Sequence, residues 1–114
     1  MQDCIFCKIV RGELPSAKVY EDDLVLAFKD INPQAPVHVL VIPKAHYASV
    51  MELPAQDGQL LSRLFSAIQQ VARELGVAET GFRLVANTGP DSGQMVPHLH
   101  FHILGGRKMG HGMA

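Results

Sequence analysis

His98-Leu99-His100-Phe101-His102-Ile103-Leu104 alternates imidazoles with apolar side chains and holds three of the chain's six histidines. Successive side chains of an extended backbone point to opposite faces, so this alternation predicts a half-buried strand over 98–104. Leu99, Phe101 and Ile103 would pack inward, and His98, His100 and His102 would share the other surface. Neighbouring imidazoles would stand about 6.5–7 Å apart, too far to hydrogen bond with one another but close enough to surround one tetrahedral group.

The elements around this strand predict an α+β fold: an antiparallel sheet of about five strands with one long helix and a short N-terminal helix. Apolar residues at helical spacing from Cys4 to Val10, stopped at Gly12, predict the short helix. Ala17–Glu21 and Leu24–Lys29 read as a hairpin turning over Glu21-Asp22-Asp23. Asp30-Ile31-Asn32-Pro33-Gln34-Ala35-Pro36 reads as a loop that carries Asp30 at a strand end. Val37–Ile42 is a nearly continuous β-branched run, the pattern of a strand buried on both faces. His38 inside it is either a core histidine bonded to backbone or, if this strand lies beside the triad strand, a polar supplement to the triad. Between Gln56 and Gly76, Leu60, Leu61, Leu64, Phe65, Ile68, Val71, Ala72 and Leu75 form one apolar stripe, the long helix. A strand over Phe82–Asn87 follows, then the loop Gly89-Pro90-Asp91-Ser92-Gly93-Gln94, whose glycines can turn amides toward an anion.

At 114 residues and 47% apolar content the chain is expected to be a single domain, 1–114, with one ordinary core. Ten Lys+Arg against eleven Asp+Glu leave a net charge of -1, which argues against nucleic acid as a partner, because a phosphate backbone calls for a basic face. No run approaches a membrane span, and the N-terminus has neither a basic region nor a long apolar one, so a cytoplasmic protein is expected. In that compartment Cys4-x-x-Cys7 reads as metal ligands, redox thiols or buried thiols rather than a disulfide.

Three uses compete for the histidine face. It could bind a metal, although three imidazoles in a row on one strand seldom converge on one ion. It could present a neutral imidazole that attacks phosphorus or an acyl carbon while its neighbours hold the charged oxygens. It could also simply meet solvent.

The stretch 98–104 resembles the alternating signature of the histidine triad (HIT) superfamily, and Gly105-Gly106-Arg107 resembles its Hint-like branch. Ile5-Phe6-Cys7-Lys8-Ile9, Phe28 through His38, Val41-Ile42-Pro43-Lys44, Asn87 and Gly93-Gln94 fall in the order that family shows. The resemblance implies a hydrolase cleaving purine nucleoside phosphoramidates or adenylated conjugates at the α-phosphate and releasing AMP or GMP. It makes His100 the nucleophile, transiently nucleotidylated, with His102 and the amides of Gly93, Gln94 and Met95 holding phosphate oxygens. His38 and His98 complete the polar network, Asn87 donates to the phosphate or to the bridging position, and Asp30 meets the ribose. Ile5, Phe6, Ile9, Phe28 and Ile31 resemble the walls around a purine. No cofactor is required for that step.

The resemblance also implies a homodimer with a continuous sheet, and a structural zinc on Cys4, Cys7, His46 and His98. Relatives often carry a hydroxyl residue where this chain has Met95, whose thioether cannot donate a hydrogen bond. A dinucleoside polyphosphate hydrolase and a nucleotide-binding interaction protein with little turnover are the alternatives.

Overall fold

The first corner of the sheet is built by one carboxylate. Asp22 Oδ1 accepts from the backbone N–H groups of Leu24 and Val25 at 2.7 and 2.8 Å, and this turn joins β1 (Lys18–Glu21) to β2 (Val25–Lys29). The structure, a computed structural model, describes residues 4–113. The remaining elements are α1 (Ile5–Val10), β3 (Val37–Pro43), α2 (Gly58–Glu74), β4 (Phe82–Val85) and β5 (Phe101–Gly105), with single 3-10 turns at Val50–Glu52 and Pro90–Ser92.

All strand pairs are antiparallel, and the spatial order is β1-β2-β3-β5-β4. The last strand is thus inserted between β3 and β4, flanked on both sides. The β3–β5 register sets Leu40 opposite His102 and His38 opposite Leu104, so His38 and His102 are diagonal neighbours on one face.

Helix α2 covers the other face. Asp57 caps it, its Oδ1 accepting from Leu60 N at 3.1 Å, and its buried side chains pack on Val25, Ala27, Val39, Val41, Leu99, Phe101 and Ile103. The histidine face has its own cluster, in which Phe6, Cys4 and Cys7 from α1 and its cap sit on Leu26, Phe28, Leu40 and Ile42. Two covered faces explain why Val25–Phe28 and His38–Pro43 are buried without alternation.

Two expectations need adjustment. Phe65, placed in the buried stripe of the long helix, is 47% exposed, because the stripe runs through Leu60, Leu64, Ala67, Ile68, Val71 and Ala72 instead. Regular β5 begins at Phe101 rather than His98. The ladder partners end at Val41 on one side and Val85 on the other, and the preceding backbone bonds elsewhere. His98 N donates to Val96 O at 2.9 Å and Leu99 N to Tyr47 O at 2.6 Å. The alternation of faces survives this irregularity, but the even spacing does not: the rings of His100 and His102 stand 4.9 Å apart between centroids, closer than an ideal strand allows.

Candidate active site

The tautomers of the triad follow from backbone groups that can only donate or only accept. His100 Nδ1 lies 2.7 Å from the carbonyl oxygen of His98. A carbonyl only accepts, so Nδ1 carries the proton, and in the neutral ring Nε2 of His100 keeps its lone pair. The N–H of Gln34 donates to His38 Nδ1 at 3.1 Å, which leaves the proton of a neutral His38 on Nε2. That Nε2 is 3.0 Å from His102 Nδ1, so His102 Nδ1 accepts and its proton sits on Nε2. Two adjacent imidazoles of one strand therefore present opposite functions, a bare nitrogen on His100 and an N–H donor on His102.

Burial keeps both members of the second pair neutral. His102 is pushed down to about 4, first by burial and then by the neighbouring His100 and His38, against the pull of Asp30. His38 is lowered by burial, which outweighs the Asp30 carboxylate 3.4 Å from its Nε2. Asp30 keeps its loop in place by accepting from Asn32 N at 2.8 Å through its other oxygen.

His98 faces away from this pair. Its side chain is fully buried, its Nε2–H donates to Pro43 O at 2.9 Å, and its Nδ1 lone pair faces Cys4 Sγ at 3.2 Å and Cys7 Sγ at 3.5 Å. Cys7 Sγ is in turn 3.3 Å from His46 Nδ1, and the four ligand atoms lie within 4.8 Å of one another. A tetrahedral zinc with two sulfurs and two nitrogens calls for ligand separations of about 3.3–3.8 Å; the donor set suits that ion, and the three sulfur–nitrogen separations of 3.2, 3.3 and 3.5 Å are of that scale. The Pro43 carbonyl supplies the outer hydrogen bond that orients a ligating imidazole. Burial and the adjacent Cys4 push the Cys7 thiol up. His98 thus reaches the triad only through its carbonyl.

The residues expected around a purine divide by exposure. Phe6 and Phe28 are buried, edge to face with each other at 5.5 Å, and Phe6 also meets the His100 ring at 5.1 Å and 89°. They form a floor under the triad, with Ile9 packed against it. Ile5 at 50% and Ile31 at 90% exposure remain free to contact a ligand.

In the Gly89–Gln94 loop, Gly93 N donates to Pro90 O and Gln94 N to Gly89 O, so these two amides close the loop on itself. The Gln94 side chain does the same, accepting from Gly89 N at 2.9 Å and donating to Ala48 O and Val96 O at 2.8 and 3.0 Å. Of the three amides expected to hold phosphate oxygens, only that of Met95 is without a hydrogen-bond partner among the described residues. The Met95 side chain itself is 91% exposed. Asn87 is half-buried and also unpartnered among the described residues. The register that sets Val85 opposite His102 carries it toward His100.

Gln34 was missed by the sequence reading, and no residue-type signal could have found it, because it acts through its backbone. Tyr47, whose carbonyl holds Leu99 N, escaped for the same reason.

A family model described as the HIT domain matches residues 11–109. The chain is 47% identical over 109 residues to a purine nucleoside phosphoramidase of Escherichia coli, covering 96% of this chain and 92% of that one. It is 55% identical over 106 residues to an uncharacterized HIT-like protein of Synechocystis, covering 93% and 92%. Among solved structures, a HIT family hydrolase from Clostridium thermocellum superposes with a TM-score of 0.95 at 51% identity, covering 100% of this chain and 99% of that chain. A histidine triad protein from Clostridium difficile gives 0.91 at 53%, covering 96% of each. With the alternating histidines on β5 and the segment leading into it, and nearly the whole chain matched, this protein belongs to the HIT domain family.

Proposed function

We propose that this protein hydrolyses purine nucleoside phosphoramidates or adenylated conjugates in two steps through His100. The observation that carries the reading is the 2.7 Å hydrogen bond from His100 Nδ1–H to His98 O, which leaves Nε2 as a neutral nucleophile. Nε2 attacks the α-phosphorus, the new N–P bond forms as the substrate's P–N bond breaks, and the amine departs with a proton taken from solvent, which the water of the second step returns. Nδ1 keeps its proton throughout, so the His98 carbonyl faces the imidazolium of the nucleotidyl intermediate and stabilises its charge. Water then attacks phosphorus, the His–P bond breaks, and AMP or GMP leaves. The His102 Nε2–H and the Met95 N–H donate to phosphate oxygens, since phosphoryl transfer is catalysed mainly by positioning and charge stabilisation. Asn87 meets the phosphate from the β4 side, Asp30 accepts from ribose hydroxyls, and Ile5 and Ile31 enclose the base above Phe6 and Phe28. The phosphoramidase name of the 47% identical relative supports the substrate class.

The test is release of AMP from an adenosine phosphoramidate by the wild type and by His100→Ala. Loss of turnover in the variant is expected, and equal rates would overturn the mechanism. Parallel assay of diadenosine polyphosphates ranks the two substrate classes.

Two further parts of the reading stand beside the chemistry. Zinc on Cys4, Cys7, His46 and His98 would tie α1 to the loop after β3 and supply stability rather than reactivity. A homodimer would use the unpaired edge of β4, where Phe82 and Leu84 are 37% and 38% exposed on the α2 side. Light scattering should give twice the chain mass, and Leu84→Lys should reduce it. The proposed place of action is the cytoplasm; separately, among the described residues no helix is long and apolar enough to cross a membrane.

A further inference from the structure

Gly105-Gly106-Arg107, at the end of the triad strand, takes no part in the chemistry described above. Its three residues nonetheless make three specific contacts. A side chain at Gly105 would put its Cβ 2.8 Å from Val77 Cγ1, so only glycine lets the end of β5 lie against the segment after α2. Gly106 has φ +90, and a Cβ there would stand 2.9 Å from Pro36 Cβ. That close approach brings the chain onto the loop between β2 and β3. Arg107 then reaches across, its Nη2 donating to the carbonyl oxygen of Gln34 at 3.2 Å.

Gln34 is the residue whose N–H donates to His38 Nδ1. Its N–H therefore faces the triad while its C=O is held from the far side by Arg107. The orientation of this one residue decides the proton positions along the row. With the Gln34 N–H on His38 Nδ1, His38 must donate from Nε2 and His102 must accept at Nδ1. Without it, His38 could protonate Nδ1 instead, and its bare Nε2 would accept from a His102 protonated on Nδ1. His102 would then present a lone pair toward the phosphate in place of a donor. Asp30, 3.4 Å from His38 Nε2, favours the first arrangement but does not touch Nδ1.

We propose that Gly106 and Arg107 act as a clamp on the loop between β2 and β3, holding the Gln34 N–H on His38 and thereby fixing His102 as an Nε2–H donor. Arg107 is a positioning residue, acting through Gln34 and His38. The kinetic part rests on the phosphoramidate reading; the tautomer part does not.

The test uses Arg107→Ala, which removes an exposed side chain, with Arg107→Lys as the conservative variant and Gly106→Ala as an independent way to displace the loop. Long-range proton–nitrogen NMR of the imidazoles reads the tautomers directly. The wild type is expected to show His38 and His102 each as a single Nε2–H form. Arg107→Ala and Gly106→Ala are expected to show mixed or reversed tautomers at both residues, with Arg107→Lys intermediate. On the phosphoramidate, kcat of Arg107→Ala should fall about tenfold with KM nearly unchanged, less than the roughly 10²-fold that a 1 Å misplacement at the reacting centre can cost. Unaltered imidazole spectra in a folded Arg107→Ala, whatever happens to its melting temperature, would overturn the clamp, as would a wild-type His102 protonated on Nδ1. A wild type that releases no AMP would remove the phosphoramidate reading, while the nitrogen spectra would still decide the clamp.

Discussion

His98 and His100 are two residues apart, share a strand face in the sequence pattern, and end in opposite environments. Around His98, Nδ1 faces two sulfurs, Nε2–H is held by Pro43 O, and the side chain has no exposure. Around His100, Nδ1–H is held by His98 O and Nε2 keeps a free lone pair. Which ring nitrogen the backbone carbonyl engages is the whole difference. A carbonyl on Nε2 turns Nδ1 toward the buried thiols, whereas one on Nδ1 leaves the outer nitrogen for chemistry. Equal residues at equal spacing thus present different atoms: a lone pair among buried thiols at His98, and an outer ring nitrogen with no backbone partner at His100.

The sharpest way to break the comparison is to delete each ring. His100→Ala should lower kcat by about 10⁴-fold or more, as removal of a nucleophile does, a kinetic loss larger than the stability lost with its buried ring. His98→Ala should do the reverse in kind, costing about 2–4 kcal/mol of stability through the cavity and the unpaired groups it leaves. Zinc analysis of the purified protein should show about one ion in the wild type and a loss in His98→Ala and Cys4→Ser. Absence of zinc from the wild type would reduce that cluster to hydrogen-bonded thiols and imidazoles. Next in size, His102→Ala should reduce kcat by about 10²–10³-fold, the usual effect of removing one oriented donor.

Protonation sharpens the comparison further. His102 is held near 4, and burial lowers His38 and His98 as well, all from an ordinary value of 6.5. Between those values the unfolded chain binds more protons than the folded one, so stability is full above about pH 6.5 and declines as pH falls toward 4. A urea midpoint series from pH 7.5 to 4.5 should show this decline, and His102→Ala should remove a part on the order of 1–2 kcal/mol after allowance for solvent screening. The smallest expected effect is at the loop. Met95→Ser would supply a hydroxyl donor in place of an exposed thioether, and one added hydrogen bond of about 1 kcal/mol corresponds to a roughly fivefold rise in kcat.

Much of this arrangement was legible before folding. The alternation at 98–104, the continuous apolar run at 37–42 and the helical stripe at 60–72 are local signals, each set by burial of one face, and each led to the right element. The candidate ligands Cys4, Cys7, His46 and His98 were named as a set from resemblance, and the structure brings their donor atoms together. Other details were not legible because they depend on backbone groups supplied by distant segments. Leu99 is tied to Tyr47, Gln94 is turned inward onto Gly89, Ala48 and Val96, and the Gln34 N–H reaches His38. Every residue except proline carries the same backbone donor and acceptor, so sequence does not mark which of them will meet a side chain.

The sequence by itself determined that the imidazoles and the apolar side chains of 98–104 would lie on opposite sides of the chain, because alternation is a property of the extended backbone. It also determined that this strand would lie in a covered sheet, because Leu99, Phe101 and Ile103 needed burial. Only the tertiary structure decided what each imidazole could do. A side chain's protonated nitrogen is set by the partner it meets, and those partners, the carbonyls of Pro43 and His98 and the amide of Gln34, were assembled by the strand order β1-β2-β3-β5-β4 and the loops at its ends.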